Sequence, residues 1–102
     1  MPAAFVSVPA RRVEIARTIL SQLPEWFGIP AATEEYITDA AHEPCFVCEK
    51  DGAPVGFLCL KETGRSTVEL AVMGVLKPCH RKGYGRALVD AAVAYARQTG
   101  YE

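Results

Sequence analysis

The residues best equipped for chemistry form one basic, glycine-bearing stretch, Lys77-Pro78-Cys79-His80-Arg81-Lys82-Gly83-Tyr84-Gly85-Arg86. An apolar run from Val68 to Leu76 precedes it, and an alanine-rich helical pattern from Arg86 to Arg97 follows. A strand that breaks into such a turn and then opens a helix leaves unpaired backbone N–H groups converging where the helix dipole favours negative charge. Gly83 and Gly85 let the backbone approach a phosphate with no Cβ in the way. The stretch therefore reads as a pyrophosphate-binding loop. A nucleoside-triphosphate P-loop needs Lys-Ser/Thr after its last glycine, and Arg86-Ala87 stands there; a dinucleotide fingerprint needs Gly or Ala where Leu88 stands. The plain alternative is a basic loop that caps a surface helix, and the flanking strand, cationic cluster and helix together weigh against it.

The elements that must hold this loop can be followed along the chain. Phe5 to Val8 is a short apolar run ended by Pro9, an edge-strand pattern. Arg11 to Leu23 places Val13, Ala16, Ile19 or Leu20, and Leu23 at helical spacing, and Pro24 stops it. Thr33-Glu34-Glu35-Tyr36 opens a second helix, capped by Thr33 and running to about Ala41. Cys45 to Lys50, Asp51-Gly52 and Val55 to Leu60 spell a β-hairpin, since Asp-Gly suits its tight turn. Thr63-Gly64-Arg65-Ser66 turns the chain again, and Thr67 to Leu76 is the third strand of the meander, in which Gly74 marks a bulge or a close backbone approach. Ala87 to Ala96 puts Leu88, Ala91, Ala92 and Tyr95 on one helical face, with Gly100 as its C-terminal cap.

The 102 residues allow one compact domain, and a net charge of −1 gives no global field to recruit nucleic acid or an anionic membrane. The positive charge is local, at Lys77, His80, Arg81, Lys82 and Arg86. No apolar run reaches membrane-spanning length, and the N-terminus lacks a signal-peptide pattern, so cytoplasmic residence is the expectation. Cys45 and Cys48 form a C-x-x-C, but residues three apart on a strand face opposite sides, so no metal is expected and the cysteines read as buried, reduced thiols.

His80-Arg81-Lys82-Gly83-Tyr84-Gly85, continued by Arg86-Ala87-Leu88-Val89, resembles the Arg/Gln-x-x-Gly-x-Gly/Ala signature of the GNAT superfamily of acyl-CoA-dependent N-acyltransferases. His80 stands where Arg or Gln is commonest. The resemblance implies an α/β (α+β) fold with a mixed, mostly antiparallel sheet flanked by helices, in the order β-α-α-β-β-β-α. It also implies a fifth strand, a fourth helix and a final strand pair, which would begin at Tyr101-Glu102. Residues 1–102 are thus expected to be a partial domain, either a truncated one, a minimal family member or one completed by a partner chain, with an open sheet edge that a homo-oligomer could cover.

The same resemblance implies acetyl-CoA as acyl donor and direct transfer to a small-molecule or peptide amine in a ternary complex. His80, Arg81, Lys82, Gly83, Tyr84, Gly85 and Arg86 would hold the phosphates, and Met73, Gly74 and Val75 would pair with the pantetheine arm like an added strand. Glu69 is the expected general base, in a strand between Val68 and Leu70 where an apolar wall would raise its pKa; otherwise it balances a cross-strand cation. The usual acid, a tyrosine on the fourth helix, has no counterpart, and neither Tyr84 nor Tyr95 fills the role. Cys79 has no His–acid pair to activate it as a nucleophile. Trp26-Phe27 either line the acceptor groove or pack on the sheet. Glu34 and Glu35 attract a cationic amine or simply suit the positive end of a helix. The rival readings are a non-catalytic CoA-binding or regulatory module, and a nucleotide-binding fragment.

Overall fold

The computed structural model describes residues 3–23, 30–65 and 67–100, with the backbone alone at 30 and 31. Trp26 and Phe27, Ser66 of the second turn, and Tyr101-Glu102 lie outside the described residues. The elements follow the order β1 (Ala4–Val6), α1 (Pro9–Leu20), α2 (Pro30–Asp39), β2 (Cys45–Lys50), β3 (Ala53–Glu62), β4 (Val68–Val75) and α3 (Tyr84–Thr99), with 3-10 turns at Ala40–His42 and Lys77–Cys79. The strands form one sheet in the order β1-β2-β3-β4, and each neighbouring pair is antiparallel.

Both faces of the sheet are covered, and strand alternation sorts the side chains between them. Cys45, Val47, Phe57, Cys59 and Val72 pack with Ile15, Ala16, Ile19, Leu20 and Leu23 around α1 and with Ile37 of α2. Phe46, Cys48, Val55, Leu58 and Leu60 pack against Tyr84, Leu88 and Ala92 of α3, a four-residue spacing that gives the helix one buried stripe. Cys45 and Cys48 thus lie on opposite faces, as the strand period requires. Arg12 pins β1 to the helical layer: its Nε–H donates to the Val6 carbonyl at 2.7 Å and its Nη1 to the Ala41 carbonyl at 3.4 Å.

Several boundaries differ from the expectations. Pro9 opens α1 rather than merely ending the strand, because the N–H it lacks has no partner in a first helical turn anyway. That helix closes at Leu20, with the Ser21 N–H on the Arg17 carbonyl, ahead of Pro24. The second helix likewise opens on Pro30, so Thr33 lies inside it and does not cap it. Asp51 and Gly52 both adopt positive φ, 54° and 82°, the pair of conformations a two-residue hairpin turn demands. The irregularity in β4 sits at Ala71, between the Cys59–Val72 and Leu60–Leu70 pairs, and not at Gly74. Gly74 is instead a close approach: a Cβ there would lie 3.2 Å from Leu23 Cδ1 and 3.3 Å from both Ile19 Cγ2 and Phe57 Cε1.

Candidate functional site

Strand β4 is the last strand of the sheet among the described residues, and its ladder determines what its outer edge offers. The Leu76 N–H donates to the Val55 carbonyl at 2.9 Å, so Leu76 faces β3. Peptide groups alternate sides along an antiparallel strand, so Gly74 also faces β3, whereas Met73 and Val75 direct their N–H and C=O groups outward. Of the three residues expected to pair with an extended ligand, two present edge groups. Gly74 supports them from behind, by letting Leu23, Ile19 and Phe57 pack close.

Past Val75 the chain makes one 3-10 turn and enters the basic loop. Arg81 and Gly83 both take positive φ, 62° and 86°, and Gly83 is the N-cap of α3. No atom lies within 4 Å of where a Cβ would sit on Gly83 or Gly85, so both glycines face open space at the helix N-terminus. Arg81, Lys82 and Arg86 are exposed beside that space, with Arg86 Nε 3.8 Å from Asp90. The Tyr84 ring packs into the α3 side of the core, leaving only its main chain to the loop. A cavity of about 400 Å³ joins the two regions, lined by Met73, Val75, Cys79, His80, Arg81 and Gly85. The His80 Nε2–H donates to the outward Val75 carbonyl at 2.6 Å.

A second cavity, about 330 Å³, lies at the other end of β4, on the side of α2. Glu35, Tyr36 and Asp39 of α2, Glu43, Lys61 of β3 and Glu69 line it, floored by Ala71. Its four carboxylates against one lysine make it a place for a cation. Glu69 is exposed and stands directly across the ladder from Lys61. The expected apolar wall is therefore absent, and the cross-strand cation of the simpler reading is present. Glu43 was not singled out from the sequence. It is half-buried, and loss of water with repulsion from Asp39 pushes its carboxyl above the ordinary glutamate range, against a smaller pull from Lys61. Glu34 and Glu35 separate: Glu35 enters the cavity, whereas Glu34 is held outside it by a two-pronged ion pair with Arg17 at 2.7 and 3.1 Å. That hydrogen-bonded guanidinium keeps the Glu34 carboxyl below its usual range.

Other titratable groups are spoken for structurally. Cys45 and Cys59 are direct cross-strand neighbours, and the hydrogen bond between their thiols, with burial, pushes the Cys59 thiol far up. Burial also raises Cys48. All four cysteines are buried free thiols, and among the described residues no three His, Cys, Asp or Glu side chains are placed so that they could hold a metal ion together. The Tyr95 ring stacks on the exposed Phe5 at 5.5 Å and meets Phe46 edge-on at 5.6 Å, at the margin of the α3 side of the core, and it lines neither cavity. Among the described residues no helix is long and apolar enough to cross a membrane.

Comparison with known proteins identifies relatives of this arrangement. Residues 12–102 match the acetyltransferase (GNAT) family. A mycothiol acetyltransferase of Propionibacterium freudenreichii subsp. shermanii is 34% identical over 106 aligned positions, which take in 98% of this chain and 30% of that protein. The chain therefore spans less than a third of that relative's length. Among solved structures, a ribosomal-protein-alanine N-acetyltransferase from Brucella melitensis biovar Abortus 2308 superposes with a TM-score of 0.73 at 16% identity, covering 98% of this chain and 74% of that one. An aminoglycoside N-acetyltransferase in complex with CoA superposes with a TM-score of 0.65 at 22% identity, covering 98% of this chain and 73% of that one. These two likenesses establish the fold.

Proposed function

The chain belongs to the acetyltransferase (GNAT) family, and from that premise we propose that it transfers an acetyl group from acetyl-CoA to a primary amine, by direct attack in a ternary complex. The observation that carries this reading is the junction of an open, glycine-lined helix N-terminus with the outward edge of β4. The edge groups of Met73 and Val75 suit the amide arm of a CoA thioester. The N–H groups around Gly83 and Gly85, with Arg81, Lys82 and Arg86, suit its phosphates. When bound, acetyl-CoA supplies the activated acyl group.

The acceptor is assigned to the acidic cavity beyond the Ala71 bulge. From Ala71 to Val75 the strand covers about 13 Å, so an extended ligand on the edge has its reactive end facing that cavity. Relatives differ in the acceptor they are named for, an aminoglycoside in one and a ribosomal-protein alanine in another, so this assignment rests on the chain's own carboxylates. In the reaction the amine nitrogen forms a bond to the acetyl carbon and the carbon–sulfur bond breaks. The amine's proton passes to Glu69, and the departing sulfur takes a proton from a donor not assigned among the described residues. A second reading gives the base role to Glu43, because its carboxyl is displaced upward, toward the range where a base works near neutral pH.

Isothermal titration with acetyl-CoA, against NAD as control, tests the donor site. Micromolar binding of acetyl-CoA alone is expected, and equal binding of NAD would replace this reading with a nucleotide-binding one. Turnover by Glu69→Gln and Glu43→Gln then separates the two base assignments. CoA binding with no turnover of any amine would leave a binding module without chemistry.

A further inference from the structure

The His80 ring is engaged with protein in a way that a plain phosphate ligand need not be. Its Nε2 lies 2.6 Å from the Val75 carbonyl, so that nitrogen carries a proton and donates it. The backbone of the same residue is fixed as well, its N–H donating to the Lys77 carbonyl at 3.1 Å. The next residue, Arg81, is held at φ 62°, a conformation side-chain-bearing residues rarely adopt without support. Val75, like Met73, turns its peptide groups out from the sheet edge, and Gly83, three positions after His80, is the N-cap of α3. One side chain therefore joins the end of the edge strand to the start of the phosphate loop.

We propose that His80 is a positioning residue that locks the loop to the outer edge of β4, setting the spacing between the strand groups that read an amide arm and the loop N–H groups that hold phosphates. This rests on the CoA reading above and deepens it. The Val75 carbonyl is taken by the ring, which leaves Met73 N–H and C=O and Val75 N–H as the edge groups offered to a ligand. A ligand that spans both regions gains from the fixed spacing, whereas a ligand that touches one region does not. The role belongs to the Nε2 position. A glutamine amide places its nitrogen the same number of bonds from Cβ and can replace it, whereas an asparagine amide corresponds to Nδ1 and cannot.

The experiment titrates the 102-residue chain and its His80→Ala, His80→Asn and His80→Gln variants with CoA, with pantetheine and with 3′-phospho-ADP. The Val75 carbonyl carbon resonance is followed in the same proteins without ligand. The expected result is a loss of about fivefold in CoA affinity for the Ala and Asn variants, the size of one hydrogen bond, with Gln within about twofold of the original. Pantetheine and 3′-phospho-ADP, each touching one side, stay within about twofold throughout. The Val75 resonance shifts in the Ala and Asn variants and returns in Gln. An equal loss for 3′-phospho-ADP makes His80 a phosphate ligand and overturns the proposal, as does an equal loss for pantetheine or an unchanged CoA affinity. An unmoved Val75 resonance shows that no brace exists, whatever binds. If the original chain binds none of the three ligands while the resonance does shift, the brace stands as a structural contact, and the CoA reading and the positioning role built on it fall.

Discussion

The two ends of β4 solve opposite recognition problems with the same strand. At Glu69–Ala71 the strand borders a cavity whose character comes from side chains, four carboxylates and a lysine contributed by α2, β3, β4 and the segment that precedes β2. At Met73–Val75 it borders a cavity onto which main-chain groups open, because β4 is the last strand among the described residues and because Gly85 carries nothing into the space. The Ala71 bulge lies between them. Side-chain chemistry can be changed one residue at a time, whereas main-chain chemistry depends on the packing behind it. The two ends should therefore fail in different ways.

The largest expected effect is at the acidic end. Glu69→Gln should lower turnover about a hundredfold while leaving CoA affinity unchanged, as measured by steady-state rates beside titration. A full rate in that variant and a large loss in Glu43→Gln would move the base to Glu43. At the other end, Gly74→Val should act through stability: its branches would meet Leu23, Ile19 and Phe57, with a cost of about 2 kcal/mol and a fall in Tm of roughly 10 °C. A Gly74→Val protein as stable as the original would mean that the close packing is not what holds the edge. Gly83→Ala should be milder in the fold, costing about 1 kcal/mol for its positive φ, yet it places a methyl in the ligand space. Circular dichroism and CoA titration together would separate those two consequences.

The smaller effects concern pH. The raised Glu43 carboxyl means that the folded state takes up a proton before the unfolded state does as pH falls. Its charge therefore opposes folding at neutral pH, and that opposition fades as pH falls through the raised value toward the unfolded one. Glu43→Gln should be the more stable protein at pH 7, with the gap closing in acid; a gap that widens would reverse the assigned cause. Glu34 runs the other way. Its lowered pKa gives a contribution present above the ordinary glutamate value and lost as pH falls through the depressed one. Both partners are exposed, so Glu34→Gln should shift Tm slightly and leave the acceptor KM alone, whereas Glu35→Gln should raise that KM.

What was legible in the sequence was local. Asp51-Gly52 and Gly100 each name a backbone conformation in their own residue type, so the hairpin and the C-terminal end of α3 could be read directly, whereas the helix starts at Tyr84, two residues before the alanine-rich pattern that opens at Arg86. Cys45 to Leu60 could be read because two short apolar runs flank a turn dipeptide. The helix starts were misjudged where proline was taken as a stop, although it sits comfortably in a first turn. The bulge at Ala71 depends on how β3 and β4 slide past each other, and no residue type announces that. Glu43 reaches the cavity only because the 3-10 turn at Ala40–His42 brings the chain from α2 to β2 beside Lys61. Glu34 and Glu35 are adjacent in sequence and identical in type, and the turn of α2 points them apart, one to Arg17 and the other into the cavity.

The His80–Val75 bond has a consequence for how the protein behaves in concentrated solution. Among the described residues the sheet ends on the outward peptide groups of β4, and such an edge is a template on which another chain can add a strand, the first step of edge-to-edge aggregation. The ring already occupies one carbonyl that such a strand would need, and the cations of Arg81 and Lys82 follow directly behind it. The contact that would help seat a ligand thus also guards the edge when no ligand is there, and a chain without that ring should be the first to lose solubility on storage.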